Sequence, residues 1–200
     1  MPCLNLLLPL LAFVAAAAQL AAAAKLSSYD IELAADASKE ERYAASVIQV
    51  WASAVAGSSL KIVTTAPDGP SERSAKRNVI AVGYRAVVQR NASASEELRG
   101  LGLEGWLISG GRDGSWAVSG DKGAPRGTIY GAHAFAETVL GVRFLAPNVT
   151  LSPKNGTDPS MDGASMHKAF VPPFEVRPQA GSGSQRQPAT LTTRHCSLLC

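Results

Sequence analysis

Arg126–Leu151 reads RGTIYGAHAFAETVLGVRFLAPNVTL, and this stretch decides the fold because its hydrophobic period changes midway. The apolar residues before Gly141 recur at the spacing of one helix face, as on a helix that packs against a sheet. They are Ile129, Ala132, Ala136, Val139 and Leu140. Gly141 can adopt the left-handed conformation that ends a helix, and the alternation after it predicts a strand that stops at Pro147. We therefore expect a buried helix and then a strand, with Glu137 on the solvent side.

The chain before this stretch predicts a small sheet. Tyr29–Leu33 alternates apolar and polar residues, which predicts a strand with one buried face, and Leu60–Val63 predicts a second strand. The strongly apolar Val79–Val82 is typical of a central strand. Trp106–Ser109 and Ser115–Val118 flank a glycine-rich turn, so these two segments predict a β-hairpin.

A second helix is predicted between the first two strands. Ser38 and Glu41 have the spacing of a capping box, and Gly57 marks the end of the helix. We expect its buried face to carry Tyr43, Val47, Val50, Trp51 and Ala54. Arg85–Leu98 leaves two alternatives open, a short helix or a glycosylated excursion. The fold class predicted is α+β, a small mixed sheet with two main helices packed on it.

The first 24 residues predict a targeting segment. Leu4–Ala24 is rich in Leu and Ala, has no charge and ends in small residues, which is typical of a secretory signal peptide cleaved near Lys25. The alternative is an uncleaved membrane anchor, since the apolar run approaches the ~20 residues that cross a bilayer. Three Asn-x-Ser/Thr sequons fit a chain that passes through a glycosylating compartment. They lie at Asn91, Asn148 and Asn155. We expect a secreted or lumenal protein that has no contact with the membrane once the signal is removed.

Cysteine and histidine usage argues against a metal or cofactor site. Only Cys196 and Cys200 remain after the signal, and they could close a small terminal disulfide. The three histidines show no ligand spacing with them, so we expect neither a metal nor a cofactor. They are His133, His167 and His195.

Charge and glycine patterns do not predict a nucleic-acid or dinucleotide site. The net charge of +3 comes from scattered basic residues, and their one cluster, Arg73 to Arg77, lies in a polar loop without aromatic residues. Gly100-x-Gly102-x-x-Gly105 precedes a predicted strand, whereas a dinucleotide fingerprint follows a strand and opens a helix. We interpret the first as a solvated loop and the second as a flexible turn.

The stretch quoted first also carries a resemblance to a known family. Arg126–Gly131, Phe135, Glu137, Leu140–Phe144 and Pro147 resemble the signature of the alpha-glucuronidase N-terminal domain, which is similar to the domain before the barrel in beta-hexosaminidases. The resemblance extends more loosely over residues 29–177. The positions that depart from the family pattern are His133, Ala136 and Asn148. The resemblance implies an α+β domain placed before a catalytic barrel, with no catalytic residue of its own.

The residues themselves offer no catalytic pair. Glycoside hydrolysis usually needs two carboxylates about 5–9.5 Å apart across the scissile bond. Asp113 and Asp121 lie in predicted turns and Glu137 on an outer helix face, so we interpret them as solvated surface. His133 lacks a Ser, Cys or Asp at partner spacing, and a structural role is the better interpretation.

Four residues are candidates for contact with a sugar. Trp106 and Trp116 would form an aromatic platform if both faced outward, although burial in the core is the default for tryptophan. Arg126 and Arg143 bracket the signature helix and could hold the carboxylate of an acidic sugar in a bidentate fork. Binding of helix-end carbonyls by the two arginines is an equal alternative.

These observations predict four segments and one function. We expect a signal peptide at 1–24, an alpha-glucuronidase N-terminal-like domain at 25–152, a linker toward an absent barrel at 153–177, and a disordered tail at 178–200. The function expected is that of a non-catalytic domain in xylan-type polysaccharide degradation, in a chain truncated before its catalytic barrel. Its partners would be the barrel of longer family members and polysaccharide, with no nucleic acid. The alternative is a freestanding secreted carbohydrate-binding or interaction module.

Overall fold

The computed structural model describes residues 24–66, 78–111, 113–147, 149–154, 156–161 and 166–173. Several predicted features therefore lie outside the described residues. They are the signal segment 1–23, the basic loop 67–77, Asn148, Asn155, and the tail 178–200 with both of its cysteines.

In the described residues, ten strands form one large sheet and two small ones. The strands are β1 (Ala24–Lys25), β2 (Asp30–Ala34), β3 (Lys61–Thr65), β4 (Val79–Val82), β5 (Trp106–Gly110), β6 (Trp116–Ser119), β7 (Arg143–Ala146), β8 (Val149–Leu151), β9 (Ser160–Met161) and β10 (His167–Phe170). Six of them form the main sheet in the order β10-β5-β6-β4-β2-β3. The predicted central strand, β4, lies in the middle of this sheet.

The main sheet is mixed because a parallel group meets an antiparallel one. β3, β2, β4 and β6 run parallel to one another, whereas β5 is antiparallel to β6 and β10 is antiparallel to β5. The β5–β6 pairing confirms the predicted hairpin. In its turn Gly114 has φ +81°, a conformation that glycine adopts without strain.

Four helices accompany the sheet, and the described residues contain no others of α type. They are α1 (Lys39–Ala56), α2 (Tyr84–Arg90), α3 (Ala94–Arg99) and α4 (Pro125–Thr138). The two short helices α2 and α3 settle the open interpretation of Arg85–Leu98 in favour of helix. No helix in the described part of the chain is both long enough and apolar enough to cross a membrane.

The predicted capping box starts α1. The Ser38 Oγ accepts from the Glu41 amide at 3.1 Å, and the Glu41 carboxylate accepts from the Ser38 amide at 2.8 Å. The same carboxylate accepts from the Tyr84 amide at 3.0 Å, so one side chain joins the beginnings of α1 and α2. Gly57, with φ 74°, ends α1 as predicted.

The buried face predicted for α1 was right only in part, because Val47 is buried and Trp51 packs against the core but Tyr43 and Val50 do not belong to that face. Tyr43 and Val50 are 55% and 61% exposed, and the core face is rotated toward smaller side chains. That face carries Ala44, Ala45, Val47, Ile48, Ala52, Val55 and Ala56. The prediction placed the largest apolar side chains toward the core. In the structure α1 packs beside α4, and short alanine side chains face α4 because they let the two helices approach closely.

Helix α4 and its glycine end agree with the opening prediction. Of the predicted stripe, Ala132, Ala136 and Leu140 are buried, and Ile129 and Val139 are partly buried against the core. Glu137, expected on the solvent side, is also partly buried. Gly141 has φ 74°, and the Val142 amide donates to the Ala136 carbonyl across the helix end. The predicted strand after it is β7, which pairs with β8 in a separate ribbon.

Alternate residues of the main sheet face two different layers. Ile31, Ile80, Trp116 and Val118 belong to the larger core, which α1 and α4 cover. The residues between them, such as Ala81 and Ala117, face the smaller core under α2 and α3. The molecule is therefore α+β with a mixed six-stranded sheet between helices, as the predicted fold class requires.

The stretch predicted to be a linker contributes two strands in its described part. β9 pairs with β1, and β10 adds the outermost strand of the main sheet beside β5. Asp158 accepts from the Ser27 amide at 2.8 Å and from the Ser27 hydroxyl at 2.7 Å. β9 and β10 therefore belong to the folded domain.

Candidate functional site

A polar cleft opens on the sheet face that α2 and α3 cover. Its volume is about 500 Å³, and Ala81, Leu107 and Ala117 contribute to its lining from three adjacent strands. Two of these three side chains are alanines, which project only a short way from the sheet. The short helices above them therefore leave a space unfilled. Polar residues line it from α2, α3, the β5–β6 hairpin and β10, and they include Arg90, Asn91, Glu97, Ser109, Asp113 and His167.

A buried ion pair lies beside the cleft. The Arg90 Nε donates to the Glu32 Oε2 at 2.7 Å, and the two side chains are only 11% and 5% exposed. Glu32 points from β2 toward the helix layer, so Arg90 supplies the charge that a buried carboxylate requires.

A histidine connects β10 to α3 at the edge of the cleft. The His167 Nε2 lies 2.7 Å from the Glu97 Oε1, and its Nδ1 lies 3.4 Å from the Ser109 Oγ. Ser109 is the cross-strand partner of His167 in the β5–β10 register. The contacts place a hydroxyl, an imidazole and a carboxylate in sequence.

This Ser-His-Glu order alone does not make a nucleophile. The Ser109 hydroxyl is at the long limit of a hydrogen bond, whereas an activated serine needs about 2.6–3.2 Å to its base. The side chain of His167 is 57% exposed, so water competes for its ring nitrogens. We interpret the three residues as a clamp that holds β10 against the hairpin and α3.

Asp113 is held in one orientation at the hairpin turn. Its Oδ1 accepts from the Ser115 amide at 3.1 Å and from the Ser115 hydroxyl at 2.6 Å. Burial alone would raise the pKa of Asp113, but the Ser115 bonds and the positive Arg90 outweigh it, and the pKa is lowered. Asp113 is therefore a fixed negative charge at the cleft, unsuited to the role of a general acid.

Asn91 is the sequon that the structure describes, and it lies on the cleft lining. Its Oδ1 accepts from the Ser93 amide at 3.2 Å and from the Ser93 hydroxyl at 2.7 Å, which makes an Asx turn of the sequon itself. The residue is exposed, as a glycan acceptor must be. Its glycosylation stays a prediction.

The tryptophans proposed as a sugar platform are buried. Trp106 is 8% exposed and Trp116 is 2% exposed, and Trp116 packs edge to face on Phe135 at 5.5 Å. A stacking platform required both rings to face outward, so the default of core burial holds here. Lys168 lies 5.6 Å from the Trp106 ring and Phe170 stacks near it, which joins β10 to β5.

The two arginines of the signature stretch lie outside the cleft. Arg126 Nη1 is 3.6 Å from the Glu104 Oε1, whose side chain is 6% exposed. Arg126 thus lies beside a carboxylate of the protein itself. The alternative prediction had been that it binds helix-end carbonyls. Arg143 is exposed on β7. A sugar contact at either residue stays a prediction.

His133 has the environment of a structural histidine. Its ring packs edge to face on Phe144 with a centroid distance of 5.4 Å. Burial lowers the pKa of His133, and the negative charge of Glu137 opposes that shift only in part. The ring is therefore neutral near pH 7.

Sequence reasoning missed Glu97, Ser109 and His167 as neighbours. Their meeting depends on β10, whose four residues are all exposed and carry no alternating pattern. Only the pairing of β10 with β5 brings His167 to Ser109, and no spacing along the chain signals it. In the described residues, no group of three His, Cys, Asp or Glu side chains could hold a metal ion.

Neither the scan against protein-family models nor the search of curated proteins finds a match for this chain.

Proposed function

We propose that this chain carries the non-catalytic domain that precedes the catalytic barrel in alpha-glucuronidase-like glycoside hydrolases. In that role the domain acts in the degradation of xylan-type polysaccharides as a support for the barrel. The proposal includes passage through the secretory pathway, with Asn91 as one glycan acceptor. The resemblance carried by residues 126–147 is its starting point.

The observation that supports the proposal most is the packing of α4. A Cβ on Gly131 would lie 3.2 Å from Trp106 and 3.2 Å from Val118, and a Cβ on Gly127 would collide with the Gly105 carbonyl. The glycines of the signature thus let α4 lie against the β5–β6 hairpin. Such a stretch has a structural reason for its residues that requires no active site.

The cleft chemistry is consistent with a non-catalytic role. Asp113 is ionised and held by Ser115, and Glu97 is engaged by His167 at 2.7 Å. A glycosidase needs one carboxyl group that keeps its proton and another that faces it. The lowered pKa of Asp113 is the opposite of what the protonated partner requires.

Two measurements test the proposal. The purified chain should release no chromophore from aryl glucuronides or aryl hexosaminides above the rate without protein. Turnover that increases with protein concentration, and that survives a second purification, would contradict it. The second measurement is the sequence of full-length transcripts. An in-frame barrel of about 250 residues after this domain is expected, and transcripts that consistently encode an unrelated domain instead would refute the family assignment.

A further inference from the structure

We propose that the outer surface of α1, α4 and the β7–β8 ribbon binds a second copy of this chain in a two-fold symmetric dimer. The surface, here named the apolar face, lies on the side of the α1–α4 layer that points away from the main sheet. It consists of Tyr43, Val50, Tyr130, Leu145, Val149 and Leu151. Such a dimer is independent of the proposed function, since it requires no catalytic barrel.

Exposed apolar side chains are concentrated on this side of the molecule. Ten large apolar residues are exposed in the described part of the chain, and the six of the apolar face are among them. None of the ten lies on α2 or α3, which cover the opposite face of the main sheet. Single exposed apolar residues are ordinary on a protein surface, whereas a concentration of them marks an interaction site.

The ribbon has apolar side chains on both of its faces. Its inner face is fixed on the helices by Phe144, whose ring packs against Trp51 of α1 and His133 of α4, each at a centroid distance of 5.4 Å. Three aliphatic side chains on its outer face are 49% to 61% exposed, namely Val149, Leu151 and Leu145. A strand with one face in water normally has polar residues there, and apolar residues on both faces are typical of a strand that is covered on both sides. The outer face of the ribbon is therefore suited to a partner.

The outer side of α1 lacks the charges of an ordinary surface helix. The charged residues of α1 are its first four, and residues 43–56 contain none. Tyr43 and Val50 lie about two turns apart on this uncharged part, and they are 55% and 61% exposed. A helix on the surface of a soluble protein normally carries charged and polar residues on its outer face. The ribbon and α1 thus offer two neighbouring apolar surfaces, joined by the contact of Phe144 with Trp51.

A second copy supplies a matching surface for each of these two. About a two-fold axis, the ribbon of one copy lies on the uncharged part of α1 of the other, and the same contact is made a second time in reverse. No like charges meet along residues 43–56, so the pairing has no electrostatic penalty there. Arg143, the one charged residue of the segment 143–151, stands at the start of β7, at the end of the ribbon away from its turn. Because the contact is isologous, it closes as a dimer and does not continue into a filament.

The test is sedimentation velocity of the purified chain, made in a host that does not add N-glycans and measured over a wide range of concentration. The parent chain should change from one mass to about twice that mass as its concentration rises. Leu145→Glu and Val50→Lys each place an unpaired charge in both symmetry-related contacts. Each should therefore raise the dissociation constant of the dimer by at least about a hundredfold.

A matched control is available outside the apolar face. Leu103 is 58% exposed and lies between α3 and β5, so Leu103→Glu adds the same charge at a similar exposure. This variant should dimerise like the parent. Leu145 and Val50 are both 61% exposed, so the two variants of the apolar face should keep the far-UV circular dichroism of the parent.

A mixture of the two charged variants tests which surfaces meet. In a heterodimer of Leu145→Glu with Val50→Lys, one contact joins the introduced carboxylate to the introduced ammonium, and the other joins an unchanged Leu145 to an unchanged Val50. The mixture should therefore sediment as a dimer, although neither variant does so alone.

Three results would overturn the proposal. The first is a parent chain that stays monomeric at every concentration, which leaves the apolar face free for the barrel of longer family members. The second is association that the control and the two charged variants share equally, and the third is a mixture that remains monomeric. None of these results bears on hydrolysis or on the transcript sequence, so the proposed function is tested separately.

Discussion

The two faces of the main sheet are built on different physical principles. The face under α1 and α4 is closed by interlocking apolar side chains, with Trp116, Phe135 and Val118 almost without solvent exposure. The face under α2 and α3 has two alanines on its strands and closes incompletely, and a buried ion pair contributes beside the apolar contacts. The first face specifies the fold, and the second leaves a cleft unfilled.

The comparison shows how a short sheet builds two different layers. Alternation along each strand sends large residues to one side and small or polar residues to the other. Ala81 and Ala117 follow this rule, lying between larger neighbours that face the opposite core. The cleft thus comes from the same pleat that builds the core.

Replacing Phe135 should have the largest effect and tests the closed face directly. Phe135→Ala removes a fully buried ring that packs on Trp116, and should lower the free energy of unfolding by about 4 kcal/mol. Tyr130→Ala, on the same helix but 40% exposed, should cost under about 1 kcal/mol. Urea unfolding followed by tryptophan fluorescence measures both, and equal losses would show that α4 is not the closing helix.

Replacing Arg90 tests whether the open face depends on charge pairing. Arg90→Met leaves the buried Glu32 without its guanidinium and should cost about 3 kcal/mol. Arg85→Met, on the same helix, breaks a pair with Asp36 whose side chains are 57% and 44% exposed, and it should cost under about 1 kcal/mol. Combining Glu32→Leu with Arg90→Met should recover most of the loss, and a double variant no better than the single one would contradict this account.

Adding one methyl group to Gly127 tests the close approach of α4. Gly127→Ala should destabilise by about 2 kcal/mol, because the new Cβ meets the Gly105 carbonyl. Helix propensity alone predicts a gain of about 1 kcal/mol, so the sign of the change decides between the two effects. Gly100→Ala is the control, since its nearest contact would be an ordinary 3.6 Å, and thermal unfolding of both variants makes the comparison.

The smallest expected effect is a pH dependence at the rim of the closed face. The folded pKa of His133 is lowered below 6.5, so the unfolded chain takes up a proton first as the pH falls. The contribution of His133 is complete above about pH 6.5 and is lost below it. His133→Gln should flatten this part of the stability curve. Glu137→Gln removes the opposing negative charge and should steepen it, and curves that all superimpose would exclude the effect.

The closed face follows from local signals, and the cleft does not. Three features of it depend on residues within about twenty positions of each other, the α4 stripe, the capping box of Ser38 and the β5–β6 hairpin. At that distance hydrophobic periodicity and turn-forming residues are visible in the sequence. The cleft joins α2, α3, the hairpin and β10, which only the sheet order places together. The error on α1 has a different origin, because the face of a helix rich in alanine is chosen by its packing partner and not by the size of its own residues.

The pairing of β1 with β9 sets the smallest fragment that can be excised intact. Leu26 donates to the Pro159 carbonyl, and Ser27 is bound by Asp158, so the beginning of the fold is fastened by residues more than 130 positions downstream. A fragment ending at Leu151 would lose these hydrogen bonds and would also lose β10. The outer edge of β5 would then be exposed with its backbone groups unpaired, and an unpaired strand edge promotes aggregation. Expression trials aimed at this domain should therefore keep the chain through at least Phe170.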